Sequence, residues 1–239
     1  MANNYFNFKS FSIWQDGAAM KVCTDSCLFG AWLTQKLLNT KHLLDIGTGT
    51  GLLALMAAQK SNAHLTCIEP HEESFATALK NFDSSPWKGR FTLQQKTLRG
   101  FLADNTHKFD TIICNPPFFS NSLLSPKNHK NLSKHDYVLP LDELLNGIAK
   151  LLTETGSAFI MLSAGREEEM KLLAGNMELH ITSAVSVCNT PQSPPFRQFF
   201  QIEKRTGIDT LSSEIIIRNN NNKYTEAFTA LLQDFYLNL

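Results

Sequence analysis

The sequence predicts an α/β protein of the Rossmann-like type, with a mostly parallel sheet. From residue 42 onward, short apolar runs alternate with helical patterns, which is the signature of successive strand–helix–strand units. A glycine-rich turn at residues 47–51 follows the first of these runs, as expected where a parallel strand passes into a helix. With 239 residues, 43% of them hydrophobic, the chain is long enough to bury a core on both faces of such a sheet.

Apolar periodicity, capping residues and turn residues assign the individual elements. Residues 5–14 alternate apolar with polar side chains and indicate a short hairpin, and residues 24–38 indicate a helix capped by Thr24 or Asp25. The predicted strands of the sheet are residues 42–46, 64–69, 91–95, 109–115, 156–162, 179–187 and 196–203. The helices between them are residues 51–60, 71–82, 98–105, 141–152 and 166–176. A last strand near residues 214–218, an asparagine-rich turn and a helix over residues 224–236 close the chain. We expect residues 1–40 to pack as a hairpin and helix on a main domain of residues 41–239, as one structural unit.

Composition narrows the classes of function. The 22 basic and 22 acidic residues cancel, which argues against a protein that coats nucleic acid non-specifically, although a local basic patch remains possible. Five scattered cysteines fit free thiols in a reducing compartment better than disulfides, and no Cys/His spacing indicates a metal site. No apolar stretch reaches the roughly 18 residues of a membrane span. We therefore expect a cytoplasmic monomer with no metal, no membrane contact and no stable protein partner.

The glycine-rich turn predicts a nucleotide-type cofactor. Gly47, Gly49 and Gly51 let a ligand approach the backbone, and Glu69, about twenty residues further on, can accept both hydroxyls of a ribose. A ribose-binding acid suits NAD and S-adenosylmethionine equally. The glycine spacing is G-x-G-x-G rather than the dinucleotide pattern G-x-G-x-x-G, and Asp45 precedes it. Since S-adenosylmethionine carries an ammonium and a sulfonium instead of a phosphate, the acid at the turn favours the methyl donor over a dehydrogenase cofactor.

A second motif, Asn-Pro-Pro-Phe, begins at Asn115, where the fourth predicted strand of the sheet ends. The side-chain carbonyl of Asn115 and the backbone carbonyl of Pro116 can together accept both hydrogens of an exocyclic amine. This can pull the nitrogen toward tetrahedral geometry and free its lone pair for in-line attack on a sulfonium methyl. Phe118 supplies a flat surface on which a base can stack. We predict that Asn115, Pro116 and Phe118 are catalytic, and that Asn115 also borders the cofactor.

These motifs resemble class I S-adenosylmethionine-dependent methyltransferases that act on amino nitrogens, and nearly the whole chain resembles the bacterial tRNA1(Val) adenine-37 N6-methyltransferase family. Three segments carry the family resemblance. The first segment is N-terminal and consists of residues 8–11, Met20-Lys21-Val22-Cys23-Thr24-Asp25 and residues 28–32. The second is Asn115-Pro116-Pro117-Phe118-Phe119, and the third is Lys134-His135-Asp136. The resemblance implies a class I methyltransferase fold with a mostly parallel seven-stranded sheet, helices on both faces and a short N-terminal extension.

The resemblance also implies further contacts with the cofactor. It places the N-terminal segment near the methionine end of S-adenosylmethionine, so Lys21 and Asp25 become candidate contacts. Cys23 stands where the family usually has glycine. Many class I enzymes bind the adenine amine through an acid after the third strand, but residues 95–98 contain none, which leaves Thr97 and backbone N–H groups for this role.

The expected substrate is an adenine N6 in tRNA, at position 37 of tRNA1(Val). A cationic stretch after the Asn-Pro-Pro-Phe motif suits contact with RNA phosphates. The candidate substrate contacts are Pro117, Phe119, Lys127, Lys130, Lys134, His135 and Arg197. Two alternatives share the mechanism, an rRNA guanine-N2 and a protein glutamine-N5 methyltransferase. A third is a non-catalytic binding module that keeps the fold.

Overall fold

The computed structural model describes residues 4–16, 20–116, 139–207 and 209–239. Within these residues the chain forms a two-stranded hairpin, an eight-stranded sheet and seven α-helices. The strands are β1 (Tyr5–Asn7), β2 (Ser12–Trp14), β3 (His42–Ile46), β4 (His64–Ile68), β5 (Phe91–Gln94), β6 (Phe109–Cys114), β7 (Leu152–Ser163), β8 (His180–Cys188), β9 (Arg197–Glu203) and β10 (Leu211–Ile216). The helices are α1 (Thr24–Thr34), α2 (Leu52–Lys60), α3 (Glu72–Asp83), α4 (Leu98–Asp104), α5 (Leu141–Leu151), α6 (Glu167–Gly175) and α7 (Glu226–Leu232).

The main sheet has the strand order β10-β8-β9-β7-β6-β3-β4-β5. All neighbouring strands are parallel except β9, which runs antiparallel to β7 and β8. Every strand predicted for the sheet forms, but the count of seven was one too low. The segment predicted as a last strand near residues 214–218 begins at Leu211 and pairs in parallel with β8, from Leu211↔Ser183 to Ile216↔Cys188.

Two apolar layers cover the two faces of the sheet, because successive side chains of a strand point to opposite faces. In β3, Leu43 packs into a layer with the hairpin, α1, α2, α3 and α7, whereas Leu44 packs into a layer with α4, α5 and α6. Both side chains are fully buried. Helices therefore lie on both faces, which leaves the ends of the strands as the accessible edges of the sheet.

The N-terminal segment is tied to the main sheet at several points. Helix α1 is buried from Asp25 to Thr34 and packs on α2 and α7. The Asn81 side chain holds the hairpin by exchanging hydrogen bonds of 2.8 and 2.9 Å with the backbone of Trp14, and it donates a third, of 2.8 Å, to the Thr50 carbonyl of the glycine-rich turn. The hairpin is thereby fixed to the turn. The division of the chain at residue 40 remains a prediction.

The predicted cap of α1 was wrong. Cys23, not Thr24 or Asp25, occupies the N-cap position and makes no side-chain capping bond. The helix also ends at Thr34, four residues before the predicted end at Leu38, which is 91% exposed. Leu38 lies in the turn that follows the helix, so its apolar side chain is not part of the packed helical face.

Gly51 provides a test of how tightly the turn packs. Its φ is +83°, and a Cβ there would lie 2.5 Å from Cε1 of Phe82, a ring that itself stacks on Phe91 at 4.1 Å. We expect Gly51→Ala to destabilise the fold by about 1–3 kcal/mol, through both overpacking and backbone strain. Urea unfolding monitored by circular dichroism measures the change. The control is Gly175→Ala, where an added Cβ meets nothing within 4 Å. Equal unfolding midpoints for the two variants would contradict the prediction.

Candidate active site

The register of three parallel strands brings the predicted site residues to one edge of the sheet. Ile46 of β3 pairs with Ile68 of β4 on one side and with Cys114 of β6 on the other. The residues that follow these partners are Gly47, Glu69 and Asn115, so all three leave the sheet at the same level. The first β9 residue joins the same edge, since β9 runs antiparallel and Arg197 pairs with Ser163 and Val187 at the ends of β7 and β8.

The turn after β3 leaves open space over its backbone. Gly47 and Gly49 have φ values of +71° and +57°, a region that favours glycine, and a Cβ at either position would meet nothing within 4 Å. The N–H groups of Gly47 and Thr48 both donate to the Ile68 carbonyl, at 2.9 and 3.1 Å. These glycines are therefore required by the backbone conformation and not by packing, and the space above them is available to a ligand.

Glu69 closes this turn against the end of β4. Its carboxylate accepts hydrogen bonds from the N–H of Gly49 at 2.9 Å and from the N–H of His71 at 3.0 Å. The side chain is buried, with the residue 5% exposed. Each carboxylate oxygen has a second lone pair, so the backbone bonds orient the group without using its full capacity to accept hydroxyl hydrogens.

Asp45 is a buried carboxyl with one unpartnered oxygen. Its Oδ2 accepts a hydrogen bond of 2.6 Å from the Thr48 hydroxyl, but Oδ1 is buried and finds no partner among the described residues. Burial raises the pKa of the Asp45 carboxyl to about 7, the Thr48 hydrogen bond opposes that shift, and the charge of Glu69 adds to it. A cation placed beside Oδ1 would relieve the cost of ionising this group.

The Asn115 side chain is held in one orientation by α1. Its Nδ2 donates to Oγ of Ser26 at 3.1 Å, and Ser26 is itself within 3.0 Å of the Cys23 sulfur. Because the amide nitrogen is used in this way, the amide oxygen faces away from Ser26. That oxygen, Oδ1, is buried and has no partner among the described residues. Within the described part of the chain, the Asn115 oxygen is therefore an oriented hydrogen-bond acceptor to which no group donates.

The structure pairs two residues that the sequence assigned to different roles. Asp25, a candidate cofactor contact, accepts a hydrogen bond of 2.7 Å from Nε of Arg197, a candidate substrate contact. The other Asp25 oxygen accepts from the Ser26 N–H at 3.0 Å. Burial of Asp25, with a side chain 9% exposed, is thus compensated by a salt bridge between α1 and β9.

The remaining predicted residues are placed in three ways. Thr97 is exposed and caps α4, since its Oγ1 accepts from the Gly100 N–H at 3.1 Å, a local role that the sequence analysis did not anticipate. Lys21 is exposed and Pro116 is buried. The others lie outside the described residues: Pro117, Phe118, Phe119, Lys127, Lys130, Lys134 and His135.

Ser26 is the site residue that the sequence analysis missed. It lies one residue after the segment 20–25 that carries the family resemblance, yet its contact is with a residue 89 positions away. A serine in the first turn of a predicted helix is ordinary, so no local pattern distinguishes it.

The described ranges contain neither a cluster of metal ligands nor a helix that could span a membrane. No group of three or more His, Cys, Asp and Glu side chains there is arranged to hold a metal ion. In the same ranges, none of the helices has the length and apolar character needed to cross a bilayer.

The pKa of Asp45 makes stability depend on pH. Its value of about 7 in the folded protein exceeds the ordinary 3.8, so folding becomes less favourable as pH rises from about 4 to about 7, and the full penalty applies above pH 7. We expect ligand-free Asp45→Asn to match the wild type below pH 4 and to be more stable by about 2–4 kcal/mol at pH 8. Urea unfolding at a series of pH values measures the difference. Asp104→Asn, which removes a surface carboxylate, controls for the loss of one charge. A gain that does not grow with pH would contradict the prediction.

Solved structures similar to this chain share its fold. A structure described as a predicted O-methyltransferase, from Agrobacterium tumefaciens, matches with a TM-score of 0.66 over 87% of this chain and 95% of its own, at 13% identity. An S-adenosylmethionine-dependent methyltransferase from Clostridium acetobutylicum matches with a TM-score of 0.54 over 77% and 92%, at 14% identity. The class I methyltransferase fold that the sequence predicted is confirmed, with the eighth strand as an addition.

Sequence comparisons identify the family. Residues 24–178 match the model of the methyltransferase small domain. The chain is 37% identical to a tRNA1(Val) (adenine(37)-N6)-methyltransferase of Cytophaga hutchinsonii and 36% identical to one of Parabacteroides distasonis, each over 100% of both chains. A relative of the same name from Flavobacterium psychrophilum is 34% identical over 98% of this chain and 100% of its own. The chain therefore belongs to the tRNA1(Val) (adenine(37)-N6)-methyltransferase family, within the methyltransferase small-domain proteins.

Proposed function

We propose that this protein transfers a methyl group from S-adenosylmethionine to the exocyclic N6 of an adenine in tRNA, at position 37 of tRNA1(Val). The observation that carries the proposal is the Asn115 amide. Its nitrogen is held by Ser26 and its buried oxygen is left without a partner in the described part of the chain, at the end of β6. A buried polar atom that lacks a partner costs stability, which favours a ligand that supplies one.

The residues at the sheet edge fit the proposed methyl donor. The buried, unpartnered Oδ1 of Asp45 suits a cationic group, which the ammonium and sulfonium of S-adenosylmethionine provide. Glu69 keeps acceptor capacity for ribose hydroxyls, and the open space over Gly47 and Gly49 admits a ligand close to the backbone. We assign these four residues to cofactor binding. Lys21 and Thr97 stay predicted contacts, whereas Asp25 acts through its salt bridge with Arg197.

The site supports methyl transfer by orienting a weakly nucleophilic amine. When bound, S-adenosylmethionine supplies an electrophilic methyl group on its sulfonium. Asn115 Oδ1 accepts one hydrogen of the adenine amine, and the carbonyl of Pro116 accepts the other, so that the nitrogen lone pair points away from both. No base of high pKa is needed, because the nitrogen becomes acidic only as the new bond forms. The sulfonium would leave as a neutral thioether, and the two acceptors would stabilise the positive charge until the nitrogen releases one proton to solvent. Phe118 is predicted to stack on the base.

The names of the relatives help to choose among the alternatives. The relatives that match this chain over their full length are named for tRNA adenine N6, which favours RNA over protein as the substrate.

Transfer of labelled methyl groups tests the proposal. Protein, labelled S-adenosylmethionine and RNA from a strain that lacks the gene should give N6-methyladenine in tRNA, identified by nuclease digestion and chromatography. Asn115→Ala should lower kcat by roughly 100- to 1,000-fold, as for the loss of one transition-state hydrogen bond, and should change the Kd for S-adenosylmethionine by less than about 2-fold.

The control is Asn176→Ala, an exposed asparagine at the end of α6. Label in rRNA guanine or in protein glutamine would keep the chemistry and overturn the substrate. Full activity in Asn115→Ala would refute the mechanism.

Ser26 should act as a positioning residue for Asn115. In Ser26→Ala the Nδ2 group loses its acceptor, the amide can rotate, and its nitrogen then faces the substrate amine for part of the time. We expect kcat to fall by roughly 5- to 20-fold with little change in KM for tRNA. Ser26→Thr keeps the hydroxyl and should restore most of the rate.

Ser74→Ala is a closely matched control for Ser26→Ala. Ser74 is also the third residue of its helix, α3, and is buried to a similar degree, with 5% exposed against 4% for Ser26. A loss of kcat of the same size in both alanine variants would indicate a structural effect of removing a buried hydroxyl, and would argue against positioning.

A further inference from the structure

A cavity of about 260 Å³ lies beside the start of α1, away from the glycine-rich turn. Three segments form its walls: the first residues of α1, the connection between β8 and β9, and the chain between β10 and α7. Asp25, Phe196, Arg218 and Tyr224 are among the lining residues. The cavity therefore combines ring surfaces with a cation.

The cavity adjoins the residue that holds Asn115. Asp25 in its wall accepts from the Ser26 N–H at 3.0 Å, and Ser26 in turn accepts from Asn115 at 3.1 Å. The β8–β9 connection emerges where Val187 pairs with Arg197, at the same sheet edge as Asn115. A ligand in the cavity would thus be linked through Asp25 and Ser26 to Asn115, the proposed contact of the target base.

The strand order places the cavity opposite the proposed cofactor residues. Asp45 and Glu69 belong to β3 and the end of β4, on one side of β6, whereas the cavity lies at β8, β9 and β10 on the other side. Asn115 follows β6, between the two groups. The cavity therefore lies on the side from which we expect the methyl acceptor to approach.

Arg218 is held in place before any ligand arrives. Its guanidinium lies 4.2 Å from the centre of the Tyr224 ring, and one of its nitrogens donates to the Asn222 carbonyl at 2.7 Å. Tyr224 stacks at 4.5 Å on Phe228, which is fully buried in the core. A guanidinium fixed in this way loses little freedom when it contacts an anion, and its planar fork matches a phosphate.

The charges around the cavity leave it cationic. Asp25 is neutralised by its 2.7 Å salt bridge with Arg197, so Arg218 determines the sign of the local charge. Phe196, half-buried, contributes an aromatic surface. An aromatic surface beside a fixed arginine is the combination that binds single-stranded nucleic acid, through stacking of a base and contact with a phosphate.

We propose that this cavity binds a nucleotide of the RNA strand next to the target adenine, with its base against Phe196 and its phosphate at Arg218. The proposal rests on the proposed function, since it names where that RNA is held. Stacking and phosphate contact read no base edge, so the cavity strengthens binding without selecting a particular neighbouring base.

Arg218→Gln tests the phosphate contact. With the tRNA that the wild-type protein methylates, fluorescence anisotropy should show a Kd about 10-fold higher at low salt, and the slope of log Kd against log salt should fall by about 0.7–1. Arg218→Lys should keep most of the slope, because the charge remains. Lys41→Gln removes an exposed cation just before β3, at the opposite edge of the sheet, and should leave both quantities unchanged.

Phe196→Leu tests the stacking contact while it preserves most of the volume of the side chain. We expect the Kd for tRNA to rise about 5- to 20-fold, Phe196→Tyr to restore it, and the Kd for S-adenosylmethionine, measured by calorimetry, to stay within about 2-fold. Melting temperatures of all variants identify any that fail to fold.

The outcomes separate this proposal from the proposed function. If the wild-type protein methylates tRNA while Arg218→Gln and Phe196→Leu bind tRNA as tightly as the wild type, the cavity proposal is wrong and the function stands. If these variants lose affinity for S-adenosylmethionine instead of tRNA, the cavity serves the cofactor and the proposal is overturned. If the wild-type protein neither binds nor methylates tRNA, the proposed function itself fails.

Discussion

The parallel pairing of β3 with β4 and β6 is the constraint on which the site depends. With Ile46 opposite both Ile68 and Cys114, the next residues Gly47, Glu69 and Asn115 emerge side by side. A slip of one residue in either pairing would send these groups to the wrong level and invert the buried faces of the strand. The two apolar layers prevent such a slip, because Leu43 fills a buried position on one face of the sheet while Leu44 and Ile46 fill buried positions on the other.

The site keeps polar atoms in surroundings that penalise them. Oδ1 of Asp45 and Oδ1 of Asn115 are buried and lack partners within the described ranges, each at a cost of about 1–3 kcal/mol. Neighbouring groups such as Thr48 and Ser26 satisfy the other atom of each side chain and so determine which atom is left for a ligand to pair with. The atoms that the proposed chemistry uses therefore lower the stability of the ligand-free fold, a common property of active sites.

The N-terminal segment also contributes to the site. Helix α1 provides Ser26 for Asn115 and Asp25 for Arg197, while the hairpin is anchored to the glycine-rich turn through Asn81. The antiparallel β9 brings Arg197 to the same edge from the other half of the sheet. The proposed methyl donor and the proposed RNA strand would thus approach Asn115 from opposite sides of β6.

The sequence by itself determined the α/β class, the succession of strands and helices along the chain, the glycine-rich turn and the position of Asn115 at a strand end. These features depend on periodicity and turn chemistry within a few consecutive residues, which one sequence displays directly. Only the tertiary structure decided which distant groups meet. The contacts Ser26–Asn115 and Asp25–Arg197 span 89 and 172 residues, the last strand joined the sheet as an eighth, and the Thr97 hydroxyl was taken by the start of α4. Such outcomes follow from strand register and helix packing, which no local pattern encodes.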